Sequence, residues 1–446
     1  MTFGNDYNQP SDHLPPRCTH LFFGNDYNQP SDHLPLSITH LRFGHHYNHI
    51  SDHLPPRCTH LSFGYHYHQR ADHLPSSITH LTFGHHYNHP TDHLVSSITH
   101  LKFGCNYNQP SDHLPQSITH LYFDNYHDHG IRSLDFYMYN QPTDHLPSSI
   151  THLFFGYYYN QPTNYLPQSI TTIIFGEKYN QPTDHLPLSV TNLIFGFDYN
   201  QPSDHLPLSI TNMTFGRNYN QRTDYLPHNI ASLAFCYSYN QPTDYLPPHI
   251  TSLTFGSRYN QISDHLPLSI THLMFGYCYN QPSDHLPPSI TDLVFDHDYN
   301  YPIDHLPRSV TRLALGNDYS QPTRNLKNNI THIYFNGERY SIRYPLSIAV
   351  SEQQHIVELY GNYNLVHTNI KFATMQDHVK KNKYNIATKK LSLLEVFFNN
   401  ETIEIVDKPS NLSTIPIVCE PNSILTMCGP IIMPTFCETP DEYMFN

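Results

Sequence analysis

The segment YNQPSDHLP at residues 27–35 contains Ser31, Asp32 and His33, the three residue types of a hydrolytic catalytic triad. The same nine letters also begin at residues 7, 107, 199 and 279. A triad needs its nucleophile, base and orienting carboxylate to converge through hydrogen bonds, whereas adjacent residues of an extended chain point to different sides. A catalytic centre also needs one special environment rather than many equivalent ones. We therefore interpret the segment as a recurring Ser/Thr or Asx turn and expect no enzymatic activity.

A second set of chemically active side chains is a column of histidines that recurs at every twentieth position. Its members are His20, His40, His60, His80, His100 and His120. Histidine is the commonest transition-metal ligand, so metal capture is one interpretation. Imidazoles in a row do not converge on one tetrahedral ion, however, and no cysteine column accompanies them. The sequence therefore favours a ladder of stacked neutral rings without metal or another cofactor, and metal binding stays as the alternative.

A strong internal repeat provides the elements that position these columns. Aligned tyrosines occupy every twentieth position from Tyr7 to Tyr107 and again from Tyr139 to Tyr319. The interval between Tyr107 and Tyr139 is longer than one period and shorter than two. We interpret the segment 124–138 as one contracted unit, in which Ser133 takes the histidine position before the column resumes at His152. Counting this unit, the sequence predicts about seventeen twenty-residue coils, each with one short strand.

The coil at residues 34–53 shows how one repeat is expected to fold. Its recurring apolar positions are Leu34, Ile38, Leu41, Phe43 and Tyr47. The spacing I-x-x-L-x-F predicts a short strand, Gly44 permits a turn, and the prolines keep the return path extended. A coil of this length leaves no room for a full helix. Because a lone coil cannot bury its apolar side chains, coils must stack and pair their strands in parallel, about 4.8 Å apart.

The pattern L-P-x-S-I-x-x-L-x-F, followed by G-x-x-Y-N-Q-P, resembles the FNIP (IP22) repeat, a short leucine-rich-repeat-like unit found in giant DNA viruses and social amoebae. The resemblance covers residues 1 to about 340. It implies a leucine-rich-repeat-like right-handed solenoid with a parallel β-sheet on its concave face and an extended, polyproline II or 3-10 convex side. Three features depart from the family: a unit shorter than usual, Tyr where the family has Phe before Asn, and no F-box-like segment before the repeats. The last departure removes the reason to expect a ubiquitin-ligase adaptor.

We predict two regions, a repeat solenoid over residues 1–343 and a small C-terminal domain over residues 344–446 that acts as a cap or tail. Within the tail, the runs 391–398 and 402–406 are interpreted as the strands of a hairpin. An open solenoid end exposes the core of a coil, so the uncapped N-terminal end is a candidate for self-association. A self-assembling structural or particle-associated protein is therefore a further alternative.

The function is expected in the outward residues of the strands, which stacking leaves free to vary. A second outward column changes from residues such as Arg42 and Lys102 to mainly apolar residues in the later coils. The candidates for a contact core are Phe154, Ile174, Ile194, Met274 and Val294. Exposed apolar patches usually mark contact surfaces, although β-branched residues also suit strands in general. We therefore expect a protein–protein interaction scaffold whose concave face binds a protein partner of unknown identity.

Composition disfavours other classes of partner. The formal net charge is -14, and an acidic surface repels phosphate, so nucleic-acid binding is not expected. No apolar run approaches the roughly 20 residues that span a bilayer, so membrane insertion is not expected either. The first residues lack the basic and apolar regions of a secretory signal. We therefore expect a cytoplasmic protein, in the host cytoplasm if the chain is viral.

Overall fold

A computed structural model describes residues 1–123, 139–316, 318–321 and 330, together with the backbone of six strands between residues 332 and 405. Ser133, the segment 124–138 and most of the tail lie outside the described residues. The described repeats belong to two compact units that divide between Ile230 and Ala231. Each unit contains a parallel β-solenoid in which one coil adds one strand.

The first unit contains ten short strands. Their bounds are β1 His20–Phe22, β2 His40–Arg42, β3 His60–Ser62, β4 His80–Thr82, β5 His100–Phe103, β6 His120–Phe123, β7 His152–Phe154, β8 Thr172–Ile174, β9 Asn192–Ile194 and β10 Asn212–Thr214. Each strand pairs in parallel with the next, and each residue lies opposite its equivalent in the following coil, as His20 lies opposite His40. This register carries every repeated residue type into a straight column.

The second unit continues the same pattern over six strands. They are β11 Ser232–Ala234, β12 Ser252–Thr254, β13 His272–Phe275, β14 Asp292–Phe295, β15 Arg312–Leu315 and β16 His332–Phe335. All five successive pairings are parallel and in register. The predicted parallel solenoid of the leucine-rich-repeat type is therefore confirmed in both units.

The tail adds strands of a different kind. They are β17 Val350–Glu352, β18 His355–Tyr360, β19 Lys383–Ile386, β20 Leu394–Asn399 and β21 Thr402–Ile405. The strands β17 and β18 pair antiparallel, and β18 extends the solenoid sheet beside β16 in parallel. The strands β20 and β21 also pair antiparallel, which confirms the hairpin predicted for the runs 391–398 and 402–406.

The predicted apolar columns form the core. In the coil at residues 34–53, Leu34 is 6% exposed and Ile38, Leu41, Phe43 and Tyr47 are at most 2% exposed. The Phe43 ring stacks on Tyr47 with centroids 3.7 Å apart, and Tyr47 lies 6.2 Å from Tyr67 of the next coil. Because successive coils fill equivalent volumes with the same side chains, the same packing arrangement recurs from coil to coil.

Short turns rather than helices close each coil. The Ile38 amide donates to the Pro35 carbonyl at 3.2 Å, and the Tyr47 amide donates to the Gly44 carbonyl at 3.4 Å. The described return paths contain turns and extended segments but neither α-helix nor 3-10 helix. Of the alternatives that the sequence left open for the side opposite the sheet, the extended one is therefore correct for these residues.

The recurring glycine has a role that the sequence did not reveal. It was expected to permit a turn, but a Cβ at Gly64 would overlap the carbonyl oxygen and carbon of Gly44 in the preceding coil. The same overlap recurs between Gly44 and Gly24 and between Gly84 and Gly64. Glycine is therefore required here because two backbones approach closely between coils, which is a packing constraint on the stack.

The asparagine and glutamine columns join successive coils. The Asn28 side-chain oxygen accepts a hydrogen bond from the Asn48 amide at 3.0 Å, and the Gln29 side chain donates to the Asn8 side-chain oxygen at 3.0 Å. The asparagine side chains thus satisfy backbone donors of neighbouring coils. The Asn and Gln of the repeated segment therefore link the turns of adjacent coils through hydrogen bonds.

The serine of the repeated segment pairs with a buried tyrosine of the next coil. Ser31 is 1% exposed, and its hydroxyl oxygen accepts a hydrogen bond from the Tyr47 hydroxyl at 2.9 Å. Two described coils lack this hydroxyl, since Ala71 precedes Tyr87 and Ile303 precedes Tyr319. Both of these tyrosine hydroxyls are buried and have no hydrogen-bond partner among the described residues.

Ala71→Ser is expected to raise the free energy of unfolding by about 1 kcal/mol, because the new hydroxyl would pair with the buried Tyr87 hydroxyl. Chemical denaturation of the full chain measures the change. As the reverse substitution, Ser31→Ala is expected to lower the free energy of unfolding by about 1–3 kcal/mol, because it leaves the buried Tyr47 hydroxyl without this hydrogen-bond partner. A stability that falls with Ala71→Ser would show that the hydroxyl pairing does not explain this column.

The contracted unit predicted at residues 124–138, with Ser133, lies outside the described residues. The strand β6 pairs directly with β7, with His120 opposite His152 and Tyr122 opposite Phe154. The rings of Tyr107 and Tyr139 also lie 6.1 Å apart, the normal spacing of adjacent coils. The coils of β6 and β7 are therefore neighbours in the sheet. The regular coils contribute sixteen described strands.

Candidate functional site

The outward face of the sheet carries the side chains that the core does not use. In a strand such as β2, Leu41 points into the core, while His40 and Arg42 on either side of it stand on the opposite face. Each coil therefore contributes two outward side chains. In the first unit these form a histidine ladder, His20, His40, His60, His80, His100, His120 and His152, and a second column that becomes apolar at Tyr122.

The histidine ladder is a continuous stack of seven rings. Successive ring centroids lie 4.1–4.2 Å apart with interplanar angles of 9–13°. The predicted stack of rings is thus confirmed for its six named members, and His152 extends it by one. The parallel register of the strands imposes this spacing, because equivalent residues of neighbouring coils must lie side by side.

A threonine column fixes the tautomer of these rings. The Thr39 hydroxyl donates its single proton to the Thr19 carbonyl oxygen at 3.1 Å and lies 2.9 Å from His40 Nδ1. The hydroxyl must then accept from the ring, so Nδ1 carries the proton and Nε2 keeps a lone pair. The same pair of bonds recurs in the coils of His60, His80, His100, His120 and His152.

The environment of the ladder favours neutral rings. Burial, together with repulsion from neighbouring rings, lowers the pKa of His40, His60, His80 and His100 below the usual value. For His120 the same causes lower the pKa to about 4. The lowered pKa of these five rings favours their neutral form at pH 7, which the sequence predicted for stacked imidazoles.

The three contact candidates of the first unit lie together. Phe154, Ile174 and Ile194 occupy adjacent strands in register, and Tyr122 precedes them with its ring stacked 4.3 Å from Phe154. All four side chains are half-buried. We call Tyr122, Phe154, Ile174 and Ile194 the apolar stripe. It spans four strands and ends at Thr214 on β10.

The other two candidates lie in the second unit. Met274 and Val294 are paired neighbours on β13 and β14, and both are half-buried. Thr254 and Ala314 flank them and are buried. The structure therefore groups the five candidates into a patch of three and a patch of two, one in each unit.

In the second unit the ladder position is mixed, and on β13, β14 and β15 it is occupied by His272, Asp292 and Arg312. Asp292 is 3% exposed and lies between His272 and Arg312 on adjacent strands. Its carboxylate lies 3.4 Å from His272 Nε2 and forms an ion pair with the Arg312 guanidinium. The Thr291 hydroxyl also lies 2.6 Å from this carboxylate. The buried carboxylate is thus compensated by the Arg312 guanidinium, and its contacts with His272 and Thr291 help to fix the three side chains in one row.

The residues that suggested a triad do not come together. The Ser31 hydroxyl is buried against Tyr47, whereas Asp32 and His33 are exposed in the turn that follows. The Asp32 carboxylate instead lies 3.4 Å from His53 of the next coil. No arrangement of nucleophile, base and carboxylate forms at this segment, as the sequence predicted.

Sequence reasoning missed a set of exposed apolar residues on the turns before the strands. Seven of them are 65–77% exposed: Leu36, Leu188, Leu208, Leu268, Tyr165, Tyr225 and Tyr245. The sequence does distinguish these positions, because leucine follows Leu-Pro in only some coils and tyrosine replaces the histidine of the repeated segment in others. We call these seven residues the turn residues.

One group of three potential metal ligands occurs among the described residues, away from the ladder. There His297 Nδ1 lies 2.8 Å from Asp298 and 3.6 Å from Asp318. The short contact to Asp298 occupies the ring nitrogen, and Asp318 is exposed. The group is therefore explained as an ion-paired surface cluster.

Within the part of the chain that the structure describes, no helix has the length and apolar character of a membrane span.

Comparison with known proteins identifies the repeat. The FNIP Repeat family matches residues 7–46, 27–66, 70–106, 87–126, 139–178, 219–258, 239–278 and 279–318, which together exceed half of the chain. No curated protein matches the chain.

The chain is also similar to several solved structures. CroV588 from a giant virus, described as a novel circular LRR protein, is 34% identical with a TM-score of 0.59, over 75% of this chain and 59% of CroV588. YopM from Yersinia enterocolitica is 15% identical with a TM-score of 0.41, over 70% of this chain and 79% of YopM. InlJ from Listeria monocytogenes is 10% identical with a TM-score of 0.42, over 71% of this chain and 73% of the InlJ domain.

Proposed function

Because the chain belongs to the FNIP repeat family and folds as a leucine-rich-repeat-like solenoid, we propose that it is a non-enzymatic scaffold that binds another protein through the outward face of its sheet. The observation that carries this proposal is the apolar stripe. It places an aromatic pair and two isoleucines on four adjacent strands, where the core does not need them.

The side chains available for recognition are few. Among the recurring polar residues, Ser31 bonds Tyr47, Asn28 bonds the next coil, and Thr39 bonds both a carbonyl and His40. These groups already have their partners, so they stabilise the stack. The outward columns differ between coils, which gives the sheet face a distinct pattern that a partner can recognise.

The apolar stripe suits a protein partner. Half-buried aromatic and aliphatic side chains on a firm backbone lose little conformational entropy on binding, and aromatic residues are enriched at interface hot spots. In the neighbouring ladder, the lowered pKa of the rings from His40 to His120 favours their neutral form, whose Nε2 atoms add hydrogen-bond acceptors. The protein is acidic overall, which opposes binding of a nucleic-acid backbone.

Changing Ile174 and Ile194 to Asp is expected to abolish partner capture, because each introduces a charge into an interface core where truncations alone cost about 2 kcal/mol or more at hot spots. Affinity capture with the full chain, followed by quantification of the co-purified protein, measures the loss. Circular dichroism checks that the variant remains folded.

The control uses the turn residues. Leu188→Asp with Leu208→Asp introduces the same two charges at sites that are 77% and 65% exposed, outside the sheet face. This variant is expected to capture the partner as the unaltered chain does. Retained capture by the stripe variant, or loss of capture in the turn variant alone, would refute the assignment of the sheet face.

A further inference from the structure

The polar side chains beside the apolar stripe have a fixed order of hydrogen-bond donors and acceptors. They are His120 on β6, His152 on β7, Thr172 on β8 and Asn192 on β9, and we call them the polar column. Each lies two positions before a stripe residue on the same strand, so a partner that covers the stripe also meets this column. The direction of each hydrogen bond in the column therefore limits which groups the partner can present.

The two histidines of the polar column present acceptors. The Thr151 hydroxyl donates to the Thr119 carbonyl oxygen at 3.1 Å and lies 2.9 Å from His152 Nδ1, so that ring nitrogen carries the proton. The Thr119 hydroxyl fixes the His120 ring in the same way. The two rings are stacked with centroids 4.2 Å apart, so their in-plane Nε2 lone pairs lie side by side. Among the described residues, no protein group bonds either Nε2 atom.

The next position of the polar column presents a donor. The Asn212 side-chain nitrogen donates to the Asn192 side-chain oxygen at 2.7 Å, and the Asn192 side-chain nitrogen donates to the Thr172 hydroxyl oxygen at 3.3 Å. The Thr172 oxygen is therefore an acceptor in this chain of bonds, and no group among the described residues accepts its proton. That proton is available to a partner. The column thus presents two acceptors followed by a donor.

Charged side chains are absent from this part of the sheet face. The outward residues of β6 to β9 are those of the polar column and the apolar stripe, and they include no Asp, Glu, Lys or Arg. A carboxylate of a partner only accepts hydrogen bonds, so it would meet the histidine lone pairs with no proton between them. A partner's ammonium or guanidinium would lose water without gaining a countercharge, and Lys102 on the adjacent strand β5 would repel it.

We propose that the polar column selects a protein segment whose apolar side chains cover the stripe and whose uncharged groups donate to His120 Nε2 and His152 Nε2. Hydroxyl, side-chain amide and backbone N–H groups are such donors, and the same segment supplies an acceptor for Thr172. Thr119 and Thr151 are positioning residues that act through the rings. A segment with the wrong groups leaves these polar atoms buried and unpaired, which costs affinity. This inference rests on the protein-binding function proposed above.

Selection of random peptides displayed on phage tests the inference. The full chain is the bait, and the chain with Ile174→Asp and Ile194→Asp removes phage that bind without the stripe. The selected peptides are expected to combine apolar residues with Ser, Thr, Asn or Gln and to be depleted in Asp, Glu, Lys and Arg relative to the unselected library. If no peptide distinguishes the two baits, the protein-binding function is refuted, and this inference with it. Peptides that need the stripe but are enriched in charged residues overturn this inference alone.

Threonine variants test the hydrogen-bond pattern separately from the apolar contact. Thr119→Val with Thr151→Val retains the branched side chains but no longer fixes the ring protons, and Thr172→Val removes the donor. Each is expected to weaken binding of a selected synthetic peptide about 10-fold, as the loss of one or two hydrogen bonds implies. Thr59→Val with Thr79→Val makes the same change in ladder coils away from the stripe and is expected to leave the affinity unchanged.

Fluorescence anisotropy of the labelled peptide measures these affinities, and thermal melts monitor the fold of each variant. Thr172→Ser retains the hydroxyl and is expected to bind as the unaltered chain does. NMR of the ring nitrogens in the isotope-labelled chain is expected to place the proton of His152 on Nδ1, and to show a mixture of tautomers once Thr119 and Thr151 are Val. A proton on Nε2 in the unaltered chain overturns the inference. Peptide affinities of the Thr172→Val and Thr119/Thr151 variants that equal the affinity of the Thr59/Thr79 variant also overturn it.

Discussion

Gly64→Ala is expected to destabilise the first unit by about 3 kcal/mol, at the upper end of the penalties for overpacking a tightly filled site. The added methyl group would overlap the Gly44 carbonyl group, which belongs to the backbone and cannot rotate away. The coils would have to separate locally, and the hydrogen bonds and ring stacks between them would lengthen together. Chemical denaturation of the full chain, followed by circular dichroism, measures this loss.

Gly4→Ala is the matched control, because a Cβ at Gly4 meets nothing within 4 Å. Gly4 precedes Asn5 and Asp6 as Gly24 precedes Asn25 and Asp26, so its local sequence is equivalent. This variant is expected to have unchanged stability. Equal effects of Gly64→Ala and Gly4→Ala would mean that close coil approach does not explain the glycine column.

Two described coils of the chain carry a side chain at this position. Asp296 follows the four-residue strand β14, and Cys236 follows the three-residue strand β11. A Cβ is therefore accommodated in particular coils, whereas at Gly64 it would overlap the Gly44 carbonyl group.

Acidification is expected to destabilise the histidine ladder before the corresponding strands of the second unit. Burial lowers the pKa of the ladder histidines, to about 4 for His120. The unfolded chain, with its ordinary histidine pKa near 6.5, therefore binds more protons than the folded chain at intermediate pH. Their contribution to stability is complete above about pH 6.5 and is lost as the pH falls from there toward about 4.

Hydrogen exchange with peptide resolution, in metal-free buffer and corrected for the intrinsic pH dependence of exchange, measures this effect. Peptides spanning β2 to β6 are expected to lose protection between pH 7 and pH 5. Peptides spanning β11 and β12 provide the internal comparison, because Ser232 and Ser252 occupy the ladder position there. Simultaneous loss of protection in both sets of strands would contradict the explanation.

The sequence was sufficient to predict the solenoid, because one period and one set of apolar spacings recur along most of the chain. Leu34, Ile38, Leu41, Phe43 and Tyr47 are buried as predicted, since a coil of this length has no other way to remove them from water. The histidine ladder was predictable for the same reason, because identical spacing places identical residues side by side.

The details that involve two coils were not predictable from one coil. The role of Gly64 depends on the backbone of the preceding coil, and the role of Ser31 depends on Tyr47 of the next coil. The direct pairing of β6 with β7, which places His120 opposite His152, was also not evident from the sequence, because register depends on the neighbouring strands.

The candidate site was predicted only in part. Phe154, Ile174 and Ile194 form one patch because their strands are adjacent, whereas Met274 and Val294 form another in the second unit. The exposed turn residues were missed because every repeated Leu-Pro segment was interpreted as having only a structural role. The leucine after that proline in a few coils is exposed, and its exposure could not be inferred from its spacing.

Site-specific photo-crosslinking tests most directly whether the outward sheet columns recognise the partner. The photoreactive residue benzoylphenylalanine replaces either Phe154 on the sheet or Tyr165 on a turn, two aromatic positions of the first unit. If the sheet face is the binding surface, illumination links the partner at position 154 and leaves position 165 unlinked. Crosslinking at position 165 with none at position 154 would contradict this account.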